Sequence, residues 1–383
     1  MKYPLSLDTW GKEELETLNK VIKKRKFSMG PRVKEFENKF AKFHKFKHSI
    51  MVNSGSSANL LILSILKYKY KLKGNIIVPV LGWSTTFFPV EQCGFKLNFV
   101  DIDRETLNID PLKIEKAINS KTVAILVVNV LGNPCNFEKI SKIAKKYNLI
   151  LIEDNCESFG AKTSNGKLTG TIGQFSSFSF FFSHHLQTME GGMILCKNKH
   201  DADYLRSLRA HGWTRDLSKN NKLFKATGDK FKDHFTFITP GYNLRPLEMS
   251  GAIGKIQLKK TNKMMKLRLS NGKYFVKKFK NSSRVTIQKE LGQSSWFAFA
   301  ILLKGILKNK RKKIISLLSQ NNIETRPIIV GNFMKNPVIK YLDFIAKDSY
   351  KNANYVDRNG FYIGNYPKDL RAEIDLVYNI LHK

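Results

Sequence analysis

"TVAILVVNVLGNPCNFEKISKIAKKYNLILIEDNCESFGA", residues 122–161, decides the fold class. It opens on an apolar run with little polar alternation, the mark of a strand covered on both faces. "FEKISKIAKKYN" (137–148) follows with a helical pattern, and "LILIE" (149–153) is a second apolar run. The same alternation extends over roughly the first 200 residues. "SIMV" (49–52), "NIIVPV" (75–80), "KLNFV" (96–100), "FSSFSFFF" (175–182) and "GMILC" (192–196) are further strand candidates. In "PRVKEFENKFAKFHKF" (31–46), Val33, Phe36, Phe40 and Phe43 fall at helical spacing, and "DADYLRSLRAHG" (201–212) is another helical segment. Buried strands alternating with helices predict an α/β domain built on a large, mostly parallel sheet.

The texture changes near residue 247. "LEMSGAIGKIQLKKTNKMMKLRLSNGKYFVKKF" (247–279) predicts a long helix, leading into strands near Val285 and Phe297–Leu303 and helices near Lys310–Ser319 and Leu370–His382. The expected division is a large domain at 1–248 and a smaller C-terminal α+β domain at 249–383.

Composition excludes several classes. The chain has 383 residues, 42% of them hydrophobic, enough for two domains with their own cores. No stretch reaches the roughly 18 uncharged apolar residues that a membrane span needs. The N-terminus turns polar and acidic where a signal peptide is apolar, so a cytoplasmic protein is expected. Cys93, Cys135, Cys156 and Cys196 form no C-x-C or C-x-x-C pair, which argues against a zinc knuckle or iron–sulfur cluster and for reduced thiols. The 66 basic residues outnumber the 31 acidic ones. They are spread along the chain rather than gathered in an arm, which favours compositional bias, with some benefit to an anionic substrate, over nucleic-acid binding.

Five segments can carry chemistry. In "NSGSSANLLIL" (53–63), Gly55, Ser56 and Ser57 open a helix after a strand; they make either a phosphate cradle or an ordinary N-cap. In "LILIEDNCESFGA" (149–161), Glu153, Asp154 and Glu157 stand at the carboxyl end of a strand, where open α/β sheets bind ligands. They are either solvated acids or the partner of a cationic ring nitrogen or a metal. Trp83 in "PVLGWSTTFFPV" (79–90) is either a stacking platform or a core residue. In "FFFSHHLQTMEGGM" (180–193), an apolar run stops at His184 and His185, imidazoles suited to proton transfer. No convincing third ligand for a metal accompanies them. "RAHGWTRD" (209–216), "GYNLRPLE" (241–248) and "ETRPIIVGNF" (324–333) place arginines in loops suited to anionic substrates.

Taken in order, G-S-S-A, P-x-x-x-W-S-T, E-D, S-F-S-F with E-G-G, and Y-N-x-R resemble the sugar aminotransferase family (DegT/DnrJ/EryC1/StrS) of fold-type I pyridoxal-phosphate enzymes. The resemblance runs from about residue 25 to the C-terminus. It implies an aspartate aminotransferase-like fold and pyridoxal 5'-phosphate or pyridoxamine 5'-phosphate as cofactor. It also implies a nucleotide-sugar substrate, glutamate as amino donor, no metal, and a homodimer sharing its active sites. One departure is decisive. The family carries a cofactor-anchoring lysine a few residues before E-G-G, and here that position is His184. The chain therefore resembles the lysine-less branch, the nucleotide-sugar 3-dehydratases. The absence of clustered cysteines matches its GDP-4-keto-6-deoxymannose type rather than the iron–sulfur CDP type.

By position, the resemblance implies that Asp154 pairs with the ring nitrogen and Trp83 stacks on the ring. Gly55, Ser56, Ser57 and Ser179 would hold the phosphate, with Asn243 from a second subunit. Glu157 would lie near the ring hydroxyl, and His184 would be the proton shuttle. His185, His211, Arg215, Arg245, Glu324 and Arg326 are substrate-binding candidates. The competing readings are a sugar aminotransferase without a covalent lysine and an inert scaffold. His184→Lys is expected to hold the aldehyde form of the cofactor covalently, seen as absorbance that survives desalting, and to lose elimination of the C3 hydroxyl by at least about 100-fold. Elimination at the wild-type rate would remove His184 from the chemistry.

Overall fold

The computed structural model describes residues 3–218 and 220–383. In chain order the strands of the large sheet are β1 (His48–Val52), β2 (Asn75–Pro79), β3 (Lys96–Val100), β4 (Thr122–Val128), β5 (Ile150–Asp154), β6 (Phe175–Ser179) and β7 (Gly192–Cys196). The C-terminal part supplies β8 (Val285–Ile287), β9 (Ala298–Leu303), β10 (Thr325–Arg326), β11 (Phe344–Ile345) and β12 (Gly360–Gly364). The eight-stranded large sheet has the order β1-β7-β6-β5-β4-β2-β3-β11. All its pairings are parallel except those of β7 with β1 and β6. The mostly parallel α/β architecture expected from the alternating pattern is the one observed.

Side-chain alternation along each strand divides the large domain into two cores. Ile76, Val78, Ala124, Leu126, Val128 and Ile152 face the helix Gly55–Tyr68, meeting Leu61, Ile62 and Ile65. Ile77, Ile125, Val127 and Leu151 face the opposite way, onto Phe137, Ile140 and Ile143 of the helix Phe137–Lys146. Strands covered on both sides need no polar face, which is why these segments are nearly continuous apolar runs.

The helix Glu248–Phe279 leads into a four-stranded antiparallel sheet of order β10-β12-β9-β8. Phe275 stacks on Phe299 at 4.4 Å between ring centres. Trp296 packs so closely over this helix that a Cβ on Gly272 would fall 2.5 Å from its indole. The domain division proposed at residues 248/249 falls at the first turn of this helix. The N-terminal segment joins the smaller unit as well, through the Tyr3 hydroxyl, which donates to the Gly364 carbonyl at 2.7 Å. Three short strands (β10, β11 and β12) and the helix Lys351–Asn359 had no clear sequence signal. No helix among the described residues is long and apolar enough to cross a membrane.

The C-terminal chain also returns to the large sheet. β11 extends it alongside β3, and Phe333 enters its core against Phe87 at 4.5 Å. Asp101, fully buried after β3, fixes this return. Its carboxylate accepts the N–H groups of Asn352 (3.0 Å) and Ala353 (2.9 Å) at the start of the helix Lys351–Asn359, and pairs with Lys113 at 3.2 Å. It acts as a helix cap donated from a distant strand. Asp101→Ala leaves those donors unpaired and is expected to lower stability by about 2–4 kcal/mol, measured as the midpoint of urea unfolding.

Candidate functional site

A cavity of about 330 Å³ lies at the carboxyl ends of the central strands, under the smaller unit. Ligands of open α/β sheets bind at such strand ends. Gly55, Ser56, Trp83, Asp154, Glu157, Ser179, His184 and Arg326 all line it. Local sequence could not establish this, since these residues come from six separate segments.

One end of the cavity suits an anion. The helix Gly55–Tyr68 starts here, with its free N–H groups and the positive end of its dipole. Ser54 caps it by accepting the Ser57 N–H at 3.1 Å. Ser57 is buried, and its hydroxyl is spent on Asn53 at 2.6 Å, so it supports the turn rather than lining the cavity. Ser56 and Ser179 reach the cavity; the Ser56 hydroxyl meets that of Thr85 at 2.8 Å. Close packing maintains this corner: a Cβ on Gly55 would fall 2.7 Å from the Ser179 Cβ and 2.9 Å from the Cys156 sulfur.

The other end suits a cationic donor. Alternation along β5 turns Asp154 towards the cavity and Glu153 away from it. Glu153 is held on the opposite face by the N–H groups of Gly170, Ile172 and Gly173, at 2.6–2.8 Å. The two adjacent acids therefore have separate jobs, and Glu153 is structural. Asp154 accepts from Asn59 (3.0 Å), the Thr86 hydroxyl (2.8 Å) and the Cys156 N–H (3.1 Å). Asn59 and Thr86 escaped the sequence reading because each is an ordinary polar residue inside a helix. Between the two ends stands Trp83, 57% exposed at the cavity rim, an accessibility that rules out a core role.

Glu157 accepts the Leu131 N–H at 2.9 Å. Burial, helped by the nearby charge of Asp154 and opposed by that N–H, lifts its carboxyl to about 7. On the facing wall are Tyr362 and Arg326 of the small sheet, with Phe297; neither Tyr362 nor Phe297 was marked by the sequence as a cavity residue.

The two histidines diverge. β6 ends at Ser179, and Phe181 and Phe182 are exposed, so the apolar run is not one buried strand ending at the imidazoles. A turn closed by the His184 N–H on the Phe181 carbonyl (2.9 Å) presents His184 to the cavity. Its Nδ1 is buried without a partner, which leaves Nε2 as the ring nitrogen open to the cavity. Burial, then the charge of Arg268, pushes it down to about 4, so the ring is neutral near pH 7. His185 is buried, with Nε2 3.2 Å from the Ser295 carbonyl, and does not line the cavity.

The remaining candidates lie elsewhere in the chain. His211 packs against Trp213 at 4.8 Å, the Arg215 guanidinium lies 4.5 Å from the same indole, and Arg245 Nε donates to Asn243 at 3.0 Å. None of His211, Arg215, Asn243 and Arg245 lines this cavity. Glu324 accepts the Leu5 N–H at 3.1 Å, beside the cavity residue Arg326. The four cysteines are unpaired. Among the described residues no three His, Cys, Asp or Glu side chains are grouped to hold a metal ion.

These residues fit a flat ligand with an anionic tail at the helix end, a protonated ring nitrogen at Asp154 and a face against Trp83. Pyridoxal phosphate has those three features. The model of the DegT/DnrJ/EryC1/StrS aminotransferase family matches residues 8–382. The GDP-4-keto-6-deoxy-D-mannose 3-dehydratase of Escherichia coli O55:H7 is 45% identical, over 100% of this chain and 100% of that protein. The solved E. coli enzyme with bound hydrated PLP has 45% identity, covers 99% of each chain and gives a TM-score of 0.96. Two more structures of such a dehydratase share that identity and TM-score and cover 99% of this chain and 100% of theirs. One is a histidine-to-asparagine variant with bound GDP-perosamine, and the other holds a trapped PLP-glutamate geminal diamine.

The raised Glu157 value has a measurable consequence. Folded, its carboxyl titrates near 7; unfolded, it titrates near the ordinary 4.5. Between these values the folded state binds the extra proton, so stability is highest below the lower value and declines as pH rises through the upper one. Allowing for its partial exposure, the cofactor-free protein should lose about 1–3 kcal/mol between about pH 5 and pH 8. Urea unfolding should show this slope in the native chain and a flatter one in Glu157→Gln.

Proposed function

The chain belongs to the DegT/DnrJ/EryC1/StrS aminotransferase family, and within it we propose a pyridoxal-phosphate-dependent 3-dehydratase acting on GDP-4-keto-6-deoxymannose, with glutamate as amino donor. The observation that carries this reading is the cavity wall itself. It has the anion end, the ring-nitrogen carboxylate and the aromatic rim, yet among the described residues no lysine lines it, and a neutral histidine does.

Bound as pyridoxamine phosphate, the cofactor supplies an amine for the sugar ketone and a ring that accepts electrons. Asp154, oriented by Asn59, Thr86 and the Cys156 N–H, would pair with the ring nitrogen and keep it protonated. Ser56, Ser179 and the helix N-terminus grip the phosphate, with Gly55 allowing the close approach. Trp83 covers one face of the ring. Glu157, half-ionised near neutrality, can donate or accept at the ring hydroxyl. His184, a free base near pH 7, would first take up the proton released at the bound cofactor and then deliver that same proton to the C3 oxygen as it leaves. A lysine there would anchor the aldehyde covalently and return a proton to C4, completing amine transfer; imidazole forms no such stable link.

His211 and Arg215 in the segment 209–216, and Asn243 and Arg245 in the segment 241–248, do not line their own cavity. That placement supports a homodimer in which these two segments complete the partner's site and meet the anionic nucleotide. The proposed setting is the cytoplasm, in the making of deoxysugars for surface polysaccharide.

The test is incubation of the purified chain with cofactor, glutamate and GDP-4-keto-6-deoxymannose. The expected product is lighter than the substrate by one oxygen, with one ammonia and one 2-oxoglutarate formed per turnover. A product that retains nitrogen would make the protein an aminotransferase, and no turnover with any GDP- or CDP-4-keto-6-deoxy sugar would make it a scaffold.

A further inference from the structure

Arg268, on the helix Glu248–Phe279, is 3% exposed and has no acid partner among the described residues. Its Nη1 donates to three carbonyls instead: those of Asn365, Phe297 (3.3 Å) and Trp296 (3.5 Å). An unpaired buried guanidinium is costly, and burial lowers it to about 9, which still leaves it charged near neutral pH. What it holds is the turn at 295–297. Trp296 there has a φ of +49°, unusual for a bulky residue. The turn offers the Ser295 carbonyl to His185 at 3.2 Å and sets the Phe297 ring 5.3 Å from His184 and 5.6 Å from His185.

From this geometry we propose that Arg268 is a positioning residue. Its Nη1 hydrogen bonds fix the 295–297 turn against both imidazoles and place an unpaired positive charge at that turn, where it adds to burial in opposing a second proton on either ring.

Two observations converge on this. A carbonyl only accepts, so His185 must donate to Ser295 from Nε2; its buried Nδ1 has no partner, and a second proton there would have no acceptor. The charged groups facing the cavity from other elements are Asp154, Glu157, Glu190 and Arg326, with Cys156 and Tyr362 as neutral titratable neighbours. Burial acts first on both histidines, and the charge of Arg268 adds to it. The consequence for dehydration rests on the reading of His184 as proton carrier.

The experiment is a ring-proton NMR titration of the histidines in the cofactor-free chain, with His184 assigned by its loss in His184→Asn. In the native protein His184 should titrate near 4. Arg268→Gln, which keeps hydrogen-bond donors but loses the charge, should raise that midpoint by about one pH unit or more. Arg268→Lys, which keeps the charge, should leave it within a few tenths. In turnover, the acidic limb of the kcat profile should rise with the NMR midpoint in the glutamine variant alone. A native midpoint near the ordinary 6.5 would overturn the proposal, even if a variant fails to fold. Equal midpoints in the native and glutamine chains, or equal shifts in both variants, would overturn it as well. Because the titration is read without cofactor or substrate, it stands apart from whether the dehydration reading holds.

Discussion

The carboxylate of Asp154 is the fixed point of the site. It sits on the last residue of β5, where alternation directs it into the cavity. Its bonds to Asn59 and Thr86 tie it to two other elements, the helices Gly55–Tyr68 and Ser84–Gln92. Those helices begin at the anion cradle and just after Trp83. The same few hydrogen bonds therefore set the distance between the helix N-terminus, the aromatic rim and the Asp154 carboxylate. The spacing is maintained by the parallel sheet beneath, whose strand ends are held in register by main-chain bonds on both sides.

Much of this was legible in the chain because it follows from one-dimensional rules. Continuous apolar runs such as residues 122–130 reveal strands with two covered faces. A Gly-Ser-Ser after a strand marks a helix start, and acids after an apolar run mark a strand's carboxyl end. What escaped was whatever depends on contacts between distant segments. The strands at Thr325–Arg326 and Phe344–Ile345 have two residues each and exist only because a neighbouring strand offers free backbone groups. Asn59 and Thr86 carry no pattern of their own. The acid pair Glu153 and Asp154 was read as one feature, although strand alternation necessarily sends the two to opposite faces. The histidine pair was likewise read as the end of a strand, whereas a turn after Ser179 separates the two rings.

That separation makes chemical sense of the pair. One imidazole is committed to a backbone carbonyl and acts as a wall. The other has a single nitrogen towards the cavity and no fixed partner, the condition for a group that must take up and release a proton within one turnover.

The electrostatics of this corner bear on why the position holds histidine. An ammonium at residue 184 would be desolvated and would lie near the unpaired charge of Arg268, and both effects lower the proton affinity of an amine. They would equally favour its reaction with an aldehyde, since only the neutral amine is nucleophilic. The surroundings that keep His184 a free base would thus make a lysine there a ready covalent anchor. The difference between amine transfer and hydroxyl elimination can then rest on one side chain, because the field around it serves either chemistry. On the proposed reading, what the histidine removes is the covalent link, while Asp154, Trp83 and the helix N-terminus would continue to bind whatever that link would have held.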